Sequence, residues 1–201
     1  RPMFYDATFG GATDPFTGVV TNYSESSGLT GDGTSTALGP DLKLNNATVF
    51  PATPDNIHYA VYNRSTGTSS GYVFGVQDAS VQAAALIKYT DNNTYIRLGN
   101  LASFVQTNET TVVGLYIVSR RTTTDCSVYK NGTEIANYSP GATAMPNLVI
   151  HIHAGNVSGV TTAYTARTLS FYSVGLSMNL TQSSNYYTLV QWYQRRRGRA
   201  V

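Results

Sequence analysis

Val128-Tyr-Lys-Asn-Gly-Thr-Glu-Ile135 reads as two short strands joined by a two-residue loop. Asn131 and Gly132 hold the central positions of that loop, and both tolerate the positive φ that a type I′ turn demands. Outward from this hairpin the same pattern repeats: short runs rich in Val, Ile, Thr and Tyr, separated by Gly, Pro, Asn and Asp. Strands are predicted at Ile57 to Asn63, Gly71 to Val76, Ala83 to Tyr89, Tyr95 to Leu98 and Thr111 to Arg120, and again at Ser127 to Lys130, Glu134 to Tyr138, Leu148 to His153 and Arg167 to Val174. The fold class that follows is all-β, an antiparallel sandwich.

Composition agrees. Only 12% of the 201 residues are charged, about half the usual share. Lys and Glu, which decorate solvated helices, number three each, against 15 Tyr. The chain fits one domain, residues 1–201, long enough to bury a core without disulfides. The formal charge of +2 includes Arg195, Arg196, Arg197 and Arg199, so the remainder sums to about −2. A body without a basic face does not point to nucleic acid. Cys126 is the only cysteine and sits in a strand context, which reads as a small buried hydrophobe and excludes an intrachain disulfide framework. Nine Asn-x-Ser/Thr triplets, the first at Asn22, Asn46 and Asn63, follow by chance from a chain this rich in those residues. No apolar run approaches the length of a membrane span and no signal peptide opens the chain. Because the first residue is Arg1 and not Met, the chain is expected to begin inside a longer product or after processing.

Two features depart from strand and hairpin. Gly28-Leu-Thr-Gly-Asp-Gly33 has the glycine density of a phosphate loop, but no helix pattern and no Gly-Lys-Ser/Thr follow it, so turn chemistry is expected. After Asn179-Leu-Thr181 a helix is predicted, with Tyr186, Leu189, Val190 and Tyr193 as its apolar stripe and Thr181 or Ser183 as its cap. Arg195 to Arg197 would complement the helix dipole in the last turn, and Gly198 would end it. The other reading of this arginine run is contact with an acidic partner.

These residues together resemble a known family: the concanavalin A-like, laminin-G-like jelly-roll domains of bacteriophage and prophage structural proteins. The match is carried by Gly28 to Thr34, by Ile57-His-Tyr-Ala-Val-Tyr62 as the first long core strand, by the Val128 to Gly132 hairpin and by the closing block. In that block Leu169 to Gly175 is similar to the last strand. Tyr193-Gln194 followed by Gly198-Arg199 is similar to the end of the terminal helix. The arginine triplet departs from the small and apolar residues usual there. The resemblance implies that this is the C-terminal part of a longer chain. It also implies a jelly roll with one short C-terminal helix, a location on a virion surface outside the cell, and other virion proteins, a second copy of the chain or a host-surface glycan as partners.

Jelly rolls also include glycanases, whose two carboxylates commonly alternate along one strand. No Glu-x-Asp or Glu-x-x-x-Glu occurs here, and Glu25, Glu109 and Glu134 read as isolated solvated charges. His151-Ile-His153 places two imidazoles on one face of a predicted strand, with His58 as a third ligand only if its strand is a neighbour. Neither this set nor any Ser, His and Asp arrangement makes a committed catalytic, cofactor or metal site. Calcium is a family-level possibility, with Asp78, Asp91, Asn92 and Asp125 near predicted loops but matching no calcium-loop pattern. Tyrosine and Asn suit sugar recognition, yet Tyr5, Tyr59, Tyr62, Tyr129 and Tyr172 lie in packing patterns, and Trp192 falls one position off the helix stripe. The leading expectation is a non-catalytic virion surface module acting in decoration, assembly or host attachment. The alternative is a soluble carbohydrate-binding lectin domain, and a glycan-degrading enzyme ranks last.

Overall fold

The computed structural model describes residues 16–17, 23–39, 42–45, 55–141 and 144–199. Their strands form two stacked sheets. One runs β1 (Phe16–Thr17), β4 (Ala37–Leu38), β13 (His151–Ile152), β6 (Phe74–Asp78), β7 (Val81–Leu86), β8 (Thr94–Asn100) and β9 (Val105–Thr107). On it β14 (Gly155–Val157) pairs in parallel with β6 and antiparallel with β15 (Val160–Thr162). The other runs β12 (Thr133–Tyr138), β11 (Asp125–Lys130), β10 (Gly114–Thr122), β5 (Ile57–Asn63), β16 (Thr168–Gly175), β3 (Gly28–Thr30) and β2 (Tyr23–Ser24). All pairs but β14 with β6 are antiparallel. This is the expected β-sandwich with one C-terminal helix, α1 (Leu180–Arg196).

Every residue of β5 is buried, and the reason is a three-layer stack. Ile57, Tyr59 and Val61 point into the core between the sheets with Phe74, Val76, Ala83, Ile96, Tyr116 and Val128. Tyr59 stacks on Phe74 at 4.3 Å and donates its hydroxyl to the Ala84 carbonyl at 2.6 Å. Ala60 and Tyr62 point the other way, with Leu115, Ile117, Tyr129 and Phe171, and would face water if α1 did not lie on them. Val190, Tyr193 and the partly buried Tyr186 and Tyr187 supply that cover. The β10, β5 and β16 sheet is therefore sealed on both faces, whereas among the described residues no helix lies on the outer face of the β6, β7 and β8 sheet.

The hairpin at Asn131-Gly132 forms as predicted, with φ of 51° and 80°. The Asn131 side chain also accepts the Leu115 N–H at 2.9 Å, tying the turn to β10. The helix differs from expectation in two respects. Its cap is Asn179, which has extended backbone and exchanges a reciprocal pair of 2.9 Å bonds with Gln182, a capping box. Thr181 and Ser183 already lie inside the helix. Its packed face is set by Ser183, Val190, Gln191, Tyr193 and Gln194, so Leu189, placed in the stripe by spacing, is instead 52% exposed.

The predicted strand Leu148 to His153 shrinks to His151–Ile152, because His153 turns to a φ of 66° and leaves the ladder. The early cluster turns as expected, with Gly28 and Gly33 at φ of 106° and 77°, and two of its glycines also permit close approach. A Cβ on Gly28, itself in β3, would sit 2.3 Å from the Leu169 carbonyl oxygen, and one on Gly31 would sit 2.0 Å from that of Thr165. Asp32 then accepts the Ser35 hydroxyl at 2.5 Å and the Thr34, Ser35 and Thr36 N–H groups, each at 2.8 Å, which closes the turn and holds its carboxyl well below the usual range.

Candidate binding face

On the open sheet, alternation sends Gly75, Gln77, Gln82, Ala84, Tyr95 and Arg97 outward, and pairing sets Gln77 opposite Gln82 and Ala84 opposite Arg97. Tyr72 precedes β6 and folds its ring flat over two glycines that face each other on β6 and β14. A Cβ on Gly155 would lie 2.6 Å from the Tyr72 ring, and one on Gly75 would lie 3.0 Å from it. Neither glycine has a positive φ, so the requirement is room for the ring.

From that ring a chain of contacts crosses the sheet. Gln82, 4% exposed, donates to the Tyr72 hydroxyl at 3.2 Å and to Gln77 Oε1 at 3.0 Å, and its own Oε1 accepts from Arg97 Nη1. The Arg97 guanidinium lies 5.3 Å from the centroid of the Phe104 ring, a cation–π contact. Phe104 is 45% exposed and sits 5.9 Å from Tyr95, which meets Tyr89 edge-on at 6.1 Å. The Tyr95 hydroxyl donates to Asp91 at 2.5 Å, a bond that lowers the Asp91 pKa and raises that of the tyrosine. The result is a row of rings, amides and one cation over a floor of Gly75, Gly155 and Ala84. Such a row can stack on an apolar ligand face while its polar groups bind hydroxyls.

The residues singled out from sequence lie elsewhere. His58 sits under α1 on the helix-backed sheet, while His151 and His153 belong to the other sheet, so the three do not converge. The shared strand face predicted for His151 and His153 is also lost, since His153 leaves the strand and is wholly buried. Asp78 ends β6, Asp91 and Asn92 lie between β7 and β8, and Asp125 opens β11, bound to Arg121 and Asn137. Among the described residues no three His, Cys, Asp or Glu side chains group to hold a metal ion.

Glu109 is not the solvated charge expected of it. It is largely buried, pairs with Lys130 and accepts the Tyr116 hydroxyl at 3.3 Å. Glu25 is paired with Arg197 at 3.5 Å, and Glu134 is exposed. Cys126 is buried, and burial pushes its thiol up to about 12. Tyr59, Tyr62 and Tyr129 are core residues and Tyr172 packs at the core edge, while Tyr5 lies outside the described residues, as do Asn22 and Asn46. Asn63 is buried and donates to the Ser65 and Val112 carbonyls, each at 2.8 Å. Trp192 is 52% exposed beneath the Arg196 guanidinium. Among the described residues no helix is long and apolar enough to cross a membrane.

No family model matches the chain, and no curated protein matches it in sequence. Its fold does match solved structures. The receptor binding domain of botulinum neurotoxin D superposes with a TM-score of 0.61 at 6% identity, over 87% of this chain and 47% of that one. A sialidase from Streptococcus pneumoniae gives 0.55 at 9%, over 79% of this chain and 27% of the enzyme. Domain 4 of an extracellular arabinanase from Geobacillus stearothermophilus, solved with arabinotriose, gives 0.52 at 13%, over 78% and 74%. The chain thus spans less than half of the toxin domain and about a quarter of the sialidase. At these identities the likeness is one of architecture: the chain is similar to β-sandwich domains carried by larger proteins.

Proposed function

We propose that the chain is a non-catalytic binding module whose open sheet holds a saccharide across Tyr72, Gln77, Gln82, Arg97, Phe104 and Tyr95. The observation that carries this is the row of rings and hydrogen-bonding groups on a sheet face that, among the described residues, no helix covers. Sugar rings present flat C–H surfaces edged with hydroxyls, and the row offers stacking faces beside amide and guanidinium groups. The likeness in fold to an arabinanase domain solved with arabinotriose supports the same reading. A non-catalytic role is supported by four acids of the described residues that are taken up in structural contacts. Asp55 is bound to Arg120, Glu109 to Lys130, Asp125 to Arg121, and Asp32 to its own turn.

A glycan array followed by calorimetry on the best ligand tests the site. Phe104→Ala is expected to weaken binding about tenfold, the effect of removing one exposed stacking face. Gly155→Ala, which displaces the Tyr72 ring without touching Phe104, is expected to weaken it comparably. Unchanged affinity in both variants would move the site off this face.

The placement on a phage particle, with other virion proteins or further copies of the chain as partners, is a second proposal supported by the resemblance of the closing block. Light scattering and mass spectrometry on the native assembly test it. Large symmetric particles are expected, and a free monomer would remove it.

A further inference from the structure

We infer that the open face selects saccharides that carry a carboxylate, and that Arg97 is the residue that reads the charge. This rests on the saccharide-binding reading above and adds to it the class of ligand. The ion pairs among the described residues are Arg120 with Asp55, Arg121 with Asp125, Lys130 with Glu109 and Arg197 with Glu25, and Arg97 is in none of them. The buried cations Arg167 and Arg199 instead donate to backbone carbonyls, Arg167 to those of Ser65, Gly67 and Lys88, although Arg167 Nε is itself buried without a partner. Arg97 has neither arrangement. One nitrogen, Nη1, donates to the Gln82 amide oxygen, the planar group lies against Phe104, and Nε is buried with no hydrogen-bond partner.

The titratable groups around Arg97 are the hydroxyls of Tyr72, Tyr138 and Tyr59, which are neutral at physiological pH. The acid at the end of the row, Asp91, is held by the Tyr95 hydroxyl and the Asn93 N–H. Among the described residues the cation in the middle of the face has no carboxylate paired with it and is partly desolvated, a state that an anion would relieve. A guanidinium already fixed by an amide and a ring matches a planar carboxylate in two parallel hydrogen bonds, and partial burial strengthens the attraction. Gln77 and Gln82 on one side and Phe104 and Tyr95 on the other are then placed to hold the ring that bears the carboxylate.

The test uses calorimetry with uronic-acid oligosaccharides (oligogalacturonate, alginate and hyaluronan fragments) and their carboxyl-reduced counterparts, on the wild-type chain, Arg97→Gln, Arg97→Lys and Phe104→Ala. At least one acidic ligand is expected to bind about tenfold or more tightly than its reduced form, and Arg97→Gln is expected to erase that ratio. Arg97→Lys, which keeps the charge and loses the fork, is expected to fall between them, and thermal melts of each variant establish that it is folded. A wild-type chain that binds both forms alike, with Phe104→Ala weakening both, would overturn the charge reading and leave the saccharide site standing. A ratio that survives in folded Arg97→Gln would overturn it too. Failure to bind any saccharide, neutral or acidic, would remove both.

Discussion

Lowering the pH from 7 to 4.5 is expected to destabilise the fold by several kcal/mol, with His58 and His153 as the cause. Burial depresses both imidazoles from 6.5 to about 4. The sign follows from linkage. Below 6.5 the unfolded chain takes up protons that the folded chain refuses, so stability falls with pH until about 4, where both states are protonated. A shift of this size is worth roughly 3 kcal/mol per histidine once the pH has fallen below the folded value, a large part of the stability of an ordinary domain.

The two histidines are held neutral in different ways. The bonds around His58 assign a proton to Nδ1, which donates to the Leu176 carbonyl at 2.6 Å, while Nε2 accepts from Ser173 at 3.3 Å and the Tyr186 hydroxyl donates to that same serine at 2.7 Å. Protonating Nε2 would turn an acceptor into a second donor and break the chain between β16 and α1. His153 has no hydrogen-bond partner at either nitrogen, and a Cβ on Gly31 would lie 3.0 Å from its Nδ1. Asp32 favours its charged form, but desolvation outweighs that attraction. Urea melts at pH 7, 6, 5 and 4.5 check the expectation. His58→Gln and His153→Asn, the latter chosen because Asn tolerates the positive φ, should each flatten the curve. A midpoint that does not move between pH 7 and 4.5 would mean that neither ring is buried as described.

Much of the fold was legible because it is written locally. Asn131-Gly132 needs no partner to declare a hairpin, and the aromatic and β-branched run from Ile57 to Asn63 declares a strand, though not that both of its faces are buried. What stayed hidden depends on neighbours. Periodicity placed Leu189 in the helix stripe, but the sheet beneath selects a face rotated toward Val190, Gln191 and Gln194. Nor could spacing show that His153 leaves its strand.

The binding face was least legible of all. Tyr95 and Arg97 share a strand face by simple alternation, but nothing in sequence sets Gln82 beside Arg97 or Tyr72 over Gly75 and Gly155. That juxtaposition comes from the pairing of β6, β7, β8 and β14. Strand patterns therefore assign Tyr59, Tyr62 and Tyr129 to packing, where they lie, but nothing local distinguishes Tyr72 and Tyr95.

Arg199→Ala is expected to cost about 4 kcal/mol, whereas Arg195→Ala and Arg196→Ala should each change stability by roughly 0.5 kcal/mol or less. The C-terminal arginines read as one tail, yet they divide at Gly198. Arg195 and Arg196 end the helix on its surface, and Arg197 caps it. Gly198, at a φ of 67°, donates to the Arg195 carbonyl while Arg199 donates to that of Gln194, the paired bonds of a Schellman turn. This reversal drives Arg199 inward to 2% exposure, where it reaches the Ser170 carbonyl at 2.8 Å and the Glu25 carbonyl at 2.5 Å. Ser170 lies where the register of β16 with β5 shifts, and Gln194 also donates to its carbonyl at 3.4 Å. Gly28 is the residue pressed against Ser170, since its Cβ would lie 2.7 Å from the Ser170 Cα. The early glycine cluster, the last strand and the Gln194 to Arg199 ending thus meet at one backbone position. Removing the guanidinium leaves both carbonyls short of a charged donor, and Arg199→Lys, with one ammonium for two divergent acceptors, should recover only part of the loss. Urea denaturation reads the result as a lowered midpoint at unchanged slope. If Arg199→Ala unfolds at the midpoint of Arg195→Ala, the ending does not hold these three stretches together.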